Sequence, residues 1–120
     1  MEFKVTTAAT GGVLIISVEG ELDLATVEQL AEPTRLAVSD GHPLVLDLSE
    51  CSFIDSSGLR FVISTHKALA EDGTAMAVVV SDGQVQKILS LTEIDLHVRV
   101  FAGLDEAVES LGASGAEGAT

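Results

Sequence analysis

The sequence predicts one α/β domain: a mixed, mostly parallel sheet of about five strands with an antiparallel amino-terminal edge, and about four helices. Two observations predict this fold class. Short β-rich segments alternate with helical segments along the chain, and a Thr-Gly-Gly turn joins the first two strands as in a hairpin. The length of 120 residues suits one domain. We expect the domain to span residues 1–111 and the small, Gly-rich residues 112–120 to form a disordered tail.

The hairpin is followed by the first helix. Residues 3–7 and 13–19 are the predicted strands of the hairpin. Asp23 is a favourable N-cap for a helix that begins near Leu24, where apolar residues start to recur at helical spacing. Pro33 lies inside this stretch and, because it lacks a backbone donor, is expected to kink the helix.

The remaining elements continue the alternation. In order, we predict a strand at 44–48, a loop at 49–55, a helix at 57–72, a strand at 76–80, a helix from 85, a strand at 97–101 and a helix at 104–111. The apolar strand at 76–80 is typical of burial on both faces of a parallel sheet. Ser81, followed three residues later by Gln84, predicts a capping box at the start of the third helix.

This connectivity brings distant residues together. Right-handed β-α-β crossovers place the carboxyl ends of parallel strands at one edge of the sheet, where ligands and partners usually engage. Three loops should meet at that edge: residues 20–23, 49–57 and 81–83.

The composition excludes several classes of function. Six Lys and Arg residues against 19 Asp and Glu residues give a net charge of −13. Phosphate backbones and anionic lipids repel such a chain, so we expect no direct nucleic-acid or membrane partner; the charge would steer a basic protein partner or serve solubility alone. The single cysteine, Cys51, indicates a reducing compartment, and no apolar run approaches the ~18 residues of a membrane span. We expect a cytoplasmic protein.

The segment Ser52-Phe53-Ile54-Asp55-Ser56-Ser57-Gly58-Leu59 carries the strongest functional signal. It places a carboxylate and two hydroxyls where a helix must start, so Asp55 or Ser56 can cap the free backbone N–H groups. Gly58 removes a side chain near Ser56 and would let another chain approach. A phosphate on Ser56 would be tolerated beside a helix N-terminus, yet its charge of roughly −1.5 to −2 would be felt by a docked partner. Taken alone, the segment is an ordinary helix cap in most proteins.

Three segments together resemble the STAS domain of bacterial anti-sigma-factor antagonists, over about residues 3–111. They are Gly20-Glu21-Leu22-Asp23, Asp47-Leu48 and Phe53-Ile54-Asp55-Ser56-Ser57-Gly58-Leu59. The resemblance implies that Ser56 is phosphorylated by a cognate anti-sigma factor that is an ATP-dependent serine kinase. The unphosphorylated antagonist would bind that factor and free the sigma factor in a stress response, and a serine phosphatase would reverse the modification.

The same resemblance implies partner contacts at Asp23, Asp55, Ser56 and Ser57. Gly58, beside Ser56, and Arg60, on the exposed face of the following helix, complete the expected partner contacts. The sequence departs from the family after the third helix. Many members have a Thr-Gly-Leu-like run there, whereas this chain has Thr92-Glu93-Ile94. The exact form of that turn is therefore open, while the Ser56 segment is unaffected.

Other functions fit the residues less well. A serine hydrolase needs a histidine base and a nucleophile elbow, but no Gly-x-Ser-x-Gly surrounds Ser56, and His42, His66 and His97 lie in unrelated segments. Asp47 lacks the acidic pair of a receiver-type phosphate acceptor. We therefore expect a monomer with no enzymatic activity, cofactor or metal. A constitutive scaffold of a signalling or transport assembly, without a phosphoryl cycle, stays open as the alternative.

Overall fold

The computed structural model describes the backbone of residues 2–119 and the side chains of residues 2–112. Strands and α-helices follow one another as β1 (Lys4–Thr10), β2 (Val13–Leu22), α1 (Ala31–Asp40), β3 (Leu44–Ile54), α2 (Ser56–Glu71), β4 (Met76–Val79), α3 (Gln84–Leu91), β5 (Arg99–Phe101) and α4 (Leu104–Ala119). Two short 3-10 helices, Val27–Leu30 and Ile94–Leu96, precede α1 and β5.

The five strands form one sheet in the order β1-β2-β3-β4-β5. β1 pairs with β2 antiparallel, and each later neighbouring pair is parallel. The predicted fold class is therefore confirmed, including the antiparallel edge. β1 runs three residues further toward the hairpin turn than predicted, and β5 is two residues shorter.

A hydrophobic core lies on each face of the sheet, beneath the helices. On one face, α1, α2 and α3 pack against alternate residues of the central strands, and α4 covers the other face. The first core includes Ile16, Leu44, Leu46, Val62, Leu69 and Leu89, and the second includes Val13, Val45, Val79, Ala107 and Leu111. Because helices cover both faces of the central strands, a partner can reach these strands at the edge where they end.

The first helix differs from its prediction. Neither Asp23 nor Leu24 begins it: a local turn and a 3-10 helix come first, and α1 starts at Ala31. Pro33 therefore lies in the first turn of α1, where backbone N–H groups have no partner within the helix in any case. The predicted kink is wrong, since the proline stands where its missing donor costs nothing.

The segment predicted as a loop at 49–55 is mostly strand. β3 continues to Ile54 and stays paired with β2, through register shifts at Ser17/Glu19 and Gly20/Glu21 of β2. On its other side β3 pairs with β4 only over residues 44–47. The outer half of β3 is thus paired with a strand on one side alone. This explains why its sequence is polar and lacks the apolar pattern of a buried strand.

Two further expectations concern the chain as a whole. α4 runs to Ala119, eight residues past its predicted end at 111. The predicted disorder of residues 112–120 stays a prediction, because the side chains from residue 113 on lie outside the described part of the chain. Among the described residues, the helices are too short or too polar to cross a membrane.

The Thr92-Glu93-Ile94 turn is built on a left-handed residue. Glu93 has φ 62° and ψ 18° and is the one non-glycine with positive φ in the described part of the chain. Left-handed backbone costs an ordinary residue about 1–2 kcal/mol and glycine little. A glycine here, as in the Thr-Gly-Leu-like run of the family that the sequence resembles, would meet this backbone requirement without the cost that Glu93 carries.

Replacing Glu93 with glycine should stabilise the protein. We expect Glu93→Gly to raise the free energy of unfolding by about 0.5–1 kcal/mol, the relief of strain less the entropy of the unfolded glycine. Thermal denaturation followed by circular dichroism should show a Tm increase of about 2–4 °C. The control, Glu71→Gly in α2, has no left-handed strain to relieve and should lower Tm; a lower Tm for Glu93→Gly would contradict the prediction.

Candidate functional site

Ser56 is the first residue of α2, and it is exposed at the carboxyl edge of the sheet. β3 ends at Ile54, so Asp55 alone links the strand to the helix. A short link between two packed elements fixes the position of the hydroxyl. Ser56 is thus accessible to a partner protein, and its position is fixed by the packing of β3 and α2.

Asp55 caps α2. Its Oδ1 accepts hydrogen bonds from the backbone N–H of Ser57 at 2.9 Å and of Gly58 at 3.1 Å. Its Oδ2 accepts a third, at 3.3 Å, from the N–H of Leu24 in the neighbouring loop. The sequence left the cap open between Asp55 and Ser56. Asp55 takes this role, which leaves the Ser56 side chain outside the cap.

Asp23 organises the loop after β2. Its Oδ1 accepts hydrogen bonds from the backbone N–H of Ala25 at 3.0 Å and of Thr26 at 3.1 Å. The Thr26 hydroxyl donates to the carbonyl oxygen of Glu21 at 2.7 Å. Asp23 therefore closes a local turn, and its carboxylate is already engaged within its own loop.

Two hydrogen bonds join this loop to the Ser56 segment. The backbone N–H of Asp55 donates to the carbonyl of Leu22 at 3.2 Å, and the N–H of Leu24 donates to the Asp55 carboxylate. The side chain of Leu24, the first of the apolar residues at helical spacing, is 75% exposed, and Phe53 on the same edge is 39% exposed. Two large apolar side chains thus flank the exposed serine.

The first residue of α3 and the loop before it hold the end of β3 from the other side. The Gln84 side chain accepts a hydrogen bond from the Ile54 N–H at 3.0 Å and donates one to the Ile54 carbonyl at 3.1 Å. The Ser81 hydroxyl donates to the carbonyl of Ser49 at 3.0 Å. The predicted capping box is therefore wrong: Gly83 occupies the N-cap, and both polar side chains replace the strand pairing that the short β4 cannot supply.

The three predicted loops do meet at one edge, although two of them are shorter than predicted. Residues 20–22 and 49–54 belong to β2 and β3. The loops converge because of the connectivity of the strands and helices. Hydrogen bonds to Asp55, the short link between β3 and α2, hold the loops together.

The remaining predicted partner residues differ in accessibility. Arg60 is exposed one turn after Ser56 on α2, and Ser57 is partly exposed. Gly58 is buried, and a Cβ added there would lie 2.6 Å from Ile54 Cγ1 and 2.9 Å from the carbonyl oxygen of Leu22. Its predicted role in admitting another chain is corrected. The missing side chain of Gly58 lets the ends of β2 and β3 pack closely against α2.

Cys51 lies beneath this edge. It is 8% exposed, and its thiol donates to the carbonyl oxygen of Phe53 at 3.3 Å. Burial raises the pKa of the Cys51 thiol, so the reactive thiolate is disfavoured. Cys51 is therefore a small buried residue of the core and not a reactive thiol.

The residues of the rejected enzyme functions lie apart from Ser56. His66 is on α2 ten residues later, His97 precedes β5, and His42 follows α1 at the opposite edge of the sheet. Asp47 Oδ1 accepts a hydrogen bond from the N–H of Ser49 at 3.0 Å, as a strand residue would.

Sequence reasoning missed two contributors to this edge. Gln84 resembled a helix cap because both roles use a polar residue at a helix start. Leu24 resembled a core residue because its spacing matched the next apolar positions. The proline at position 33 was the available signal, since a proline in the first turn moves the helix start past Leu24.

The chain matches a family model described as the STAS domain over residues 4–107. Among curated proteins, it is 31% identical over 105 residues to the anti-sigma-F factor antagonist RsfB of Mycobacterium tuberculosis. That alignment covers 87% of this chain and 85% of RsfB.

Solved structures give the same result. A crystal structure of an anti-sigma factor antagonist from Mycobacterium paratuberculosis has a TM-score of 0.85 and 29% identity, covering 92% of this chain and 94% of that one. SpoIIAA of Bacillus, solved in its phosphorylated form, has a TM-score of 0.65 at 21% identity, covering 91% and 98% of the two chains. At that identity the second likeness is one of fold.

Proposed function

The chain belongs to the STAS domain family, as the match over residues 4–107 and the RsfB alignment establish, and from this membership we propose that it is an anti-sigma factor antagonist. In its unphosphorylated form it binds a cognate anti-sigma factor and releases the sigma factor. The observation that carries the proposal is the exposed Ser56 hydroxyl at the start of α2, held between two hydrogen-bonded loops.

The proposed docking surface is the edge around Ser56. Leu24 and Phe53 supply exposed apolar area, and Arg60 supplies a charged group at its rim. Apolar side chains at the centre of an interface contribute most of its binding free energy, while rim charges steer association. The net charge of −13 favours a partner with a basic surface.

Phosphorylation of Ser56 is the proposed switch. The anti-sigma factor, acting as a serine kinase, positions MgATP so that the Ser56 oxygen attacks the γ-phosphorus; ADP leaves, and the hydroxyl proton passes to a base of the kinase. A serine phosphatase hydrolyses the phosphoester and restores the binding form. SpoIIAA, solved in a phosphorylated form, indicates that the fold is compatible with such a modification.

The switch requires no rearrangement of the fold. Asp55 already occupies the N–H groups of Ser57 and Gly58, so these donors cannot turn toward a phosphate on Ser56. The phosphate therefore stays at the surface, where the partner must desolvate it. In this proposal the protein catalyses no reaction itself and acts as a cytoplasmic monomer.

Mass spectrometry of the intact chain tests the proposal. Incubation with MgATP and each anti-sigma-type serine kinase of the source organism should add one phosphate, located on Ser56. Ser56→Ala should remain unmodified, which excludes transfer to the neighbouring Ser57. If no kinase modifies the chain, or if the phosphate lies elsewhere, the phosphoswitch is refuted.

The second candidate is a constitutive scaffold without a phosphoryl cycle. The hydrogen bonds that fix the Ser56 edge favour it equally, since a rigid surface suits permanent binding. A scaffold would bind its partner equally well as wild type, Ser56→Ala and Ser56→Asp. The two candidates therefore differ in one measurable quantity, the effect of charge at position 56.

A further inference from the structure

A cavity of about 340 Å³ lies at the far end of α2, away from Ser56. Its walls come from the second half of α2 and from the segment between α3 and β5. Ile63, Ile94 and Val98 supply apolar walls, and His66, Lys67 and His97 supply nitrogen-bearing side chains. Its volume lies within the 300–1,000 Å³ range of small-molecule sites.

The polar groups of this cavity are unusual for the chain. The protein has six Lys and Arg residues and three histidines, and two of these histidines and one lysine line this one cavity. None of the described residues lining it is acidic, although the chain has 19 Asp and Glu residues. A chain of net charge −13 thus has here a local site suited to an anion.

His66 presents only one of its ring nitrogens to the cavity. Its Nδ1 is buried and has no hydrogen-bond partner in the described structure, and almost none of its surface is accessible. A ligand in the cavity would therefore contact the imidazole through Nε2, which can donate a hydrogen bond.

We propose that this cavity binds a small aliphatic monocarboxylate. The carboxylate is held by Lys67 and the N–H groups of the two histidines, and the short alkyl chain lies against Ile63, Ile94 and Val98. The apolar walls disfavour a fully hydrated anion such as inorganic phosphate.

The site is separate from the proposed switch. Ten residues of helix separate Ser56 from His66, a rise of about 15 Å at 1.5 Å per residue. Ligand in the cavity and a protein at the Ser56 edge can therefore be bound together. The proposal does not depend on phosphorylation of Ser56 and can fail or succeed independently of it.

Nuclear magnetic resonance titration of the full chain tests the site. Sodium hexanoate, octanoate and decanoate should shift the backbone amide signals of residues 63–67 and 92–98 in a saturable manner, while those of residues 56–58 stay unchanged. Sodium acetate, without the alkyl chain, and 1-octanol, without the charge, should each bind at least tenfold more weakly than octanoate.

Variants separate the charged groups from the apolar walls. The double variant Lys67→Gln/His97→Gln changes two exposed residues and should weaken octanoate binding at least tenfold while leaving Tm unchanged. Lys87→Gln on α3 and His42→Gln in the turn after α1 are matched controls and should bind as wild type. No saturable shift at these residues, equal binding of 1-octanol, or wild-type affinity of the double variant would overturn the proposal.

Discussion

Ser56→Asp is expected to bind the anti-sigma factor about a hundredfold more weakly than Ser56→Ala, a difference of ~2.7 kcal/mol. The alanine variant keeps the neutral, apolar contact surface of the unphosphorylated protein. The aspartate variant places one negative charge at the centre of that surface, where docking must remove its water. Isothermal titration calorimetry with the anti-sigma factor that copurifies with Ser56→Ala measures both dissociation constants.

The geometry explains why the charge should act on the partner and not on the fold. The N–H groups that would stabilise an anion at the start of α2 already bind Asp55, and Arg60 one turn later is exposed to solvent. An Asp at position 56 gains at most a few tenths of a kcal/mol from Arg60 at i+4. Tm should therefore stay within about 2 °C of wild type.

Thr10→Asp is the charge-matched control. Thr10 is exposed beside the hairpin turn at the opposite edge of the sheet, so the variant has the same net charge as Ser56→Asp but adds no charge near Ser56. Its affinity should equal that of wild type at 150 mM salt. Equal affinities for Ser56→Asp and Ser56→Ala would identify the protein as the constitutive scaffold.

The order of elements and the position of Ser56 could be predicted because each depends on local patterns. Apolar spacing distinguishes helices from strands, and β-α-β connectivity places the strand ends at one edge. The identity of the α2 cap required the structure, because Asp55 and Ser56 are both good caps and only tertiary contacts decide between them. The Leu24 N–H decides it for Asp55, from a residue 31 positions earlier.

The outer half of β3 could not be predicted for a related reason. Its residues pair with β2 on one side and with side chains of Ser81 and Gln84 on the other. Such pairing produces no regular alternation of apolar and polar residues in the sequence, because side chains of a distant segment take the place of a neighbouring strand. The same substitution holds Ile54 in place and, through Asp55, sets the position of Ser56.

The rigidity of the Ser56 edge therefore depends on close packing beneath it. α2 approaches the ends of β2 and β3 closely at Gly58. Gly58→Ala should lower the free energy of unfolding by about 1–2 kcal/mol, which is the upper part of the usual overpacking cost less the helix preference of alanine. The added Cβ would lie 2.6 Å from Ile54 Cγ1 and 2.9 Å from the Leu22 carbonyl oxygen. The second contact is with backbone of β2, which cannot move without disturbing its pairing, so overpacking exceeds the ~1 kcal/mol that alanine gains over glycine in a helix.

Urea denaturation followed by circular dichroism measures this loss, with Gly112→Ala in α4 as the matched control. A Cβ at Gly112 would meet no atom of the described residues within 4 Å, so the same substitution there should be neutral or stabilising by up to about 1 kcal/mol. Ile54→Ala removes the clashing Cγ1 and should cost less in the Gly58→Ala background than alone, giving a coupling of about 1 kcal/mol or more. If Gly58→Ala is as stable as Gly112→Ala, the strand ends and α2 have room to separate. Ser56 would then lie on a helix that can shift, and phosphorylation of Ser56 would act by moving α2.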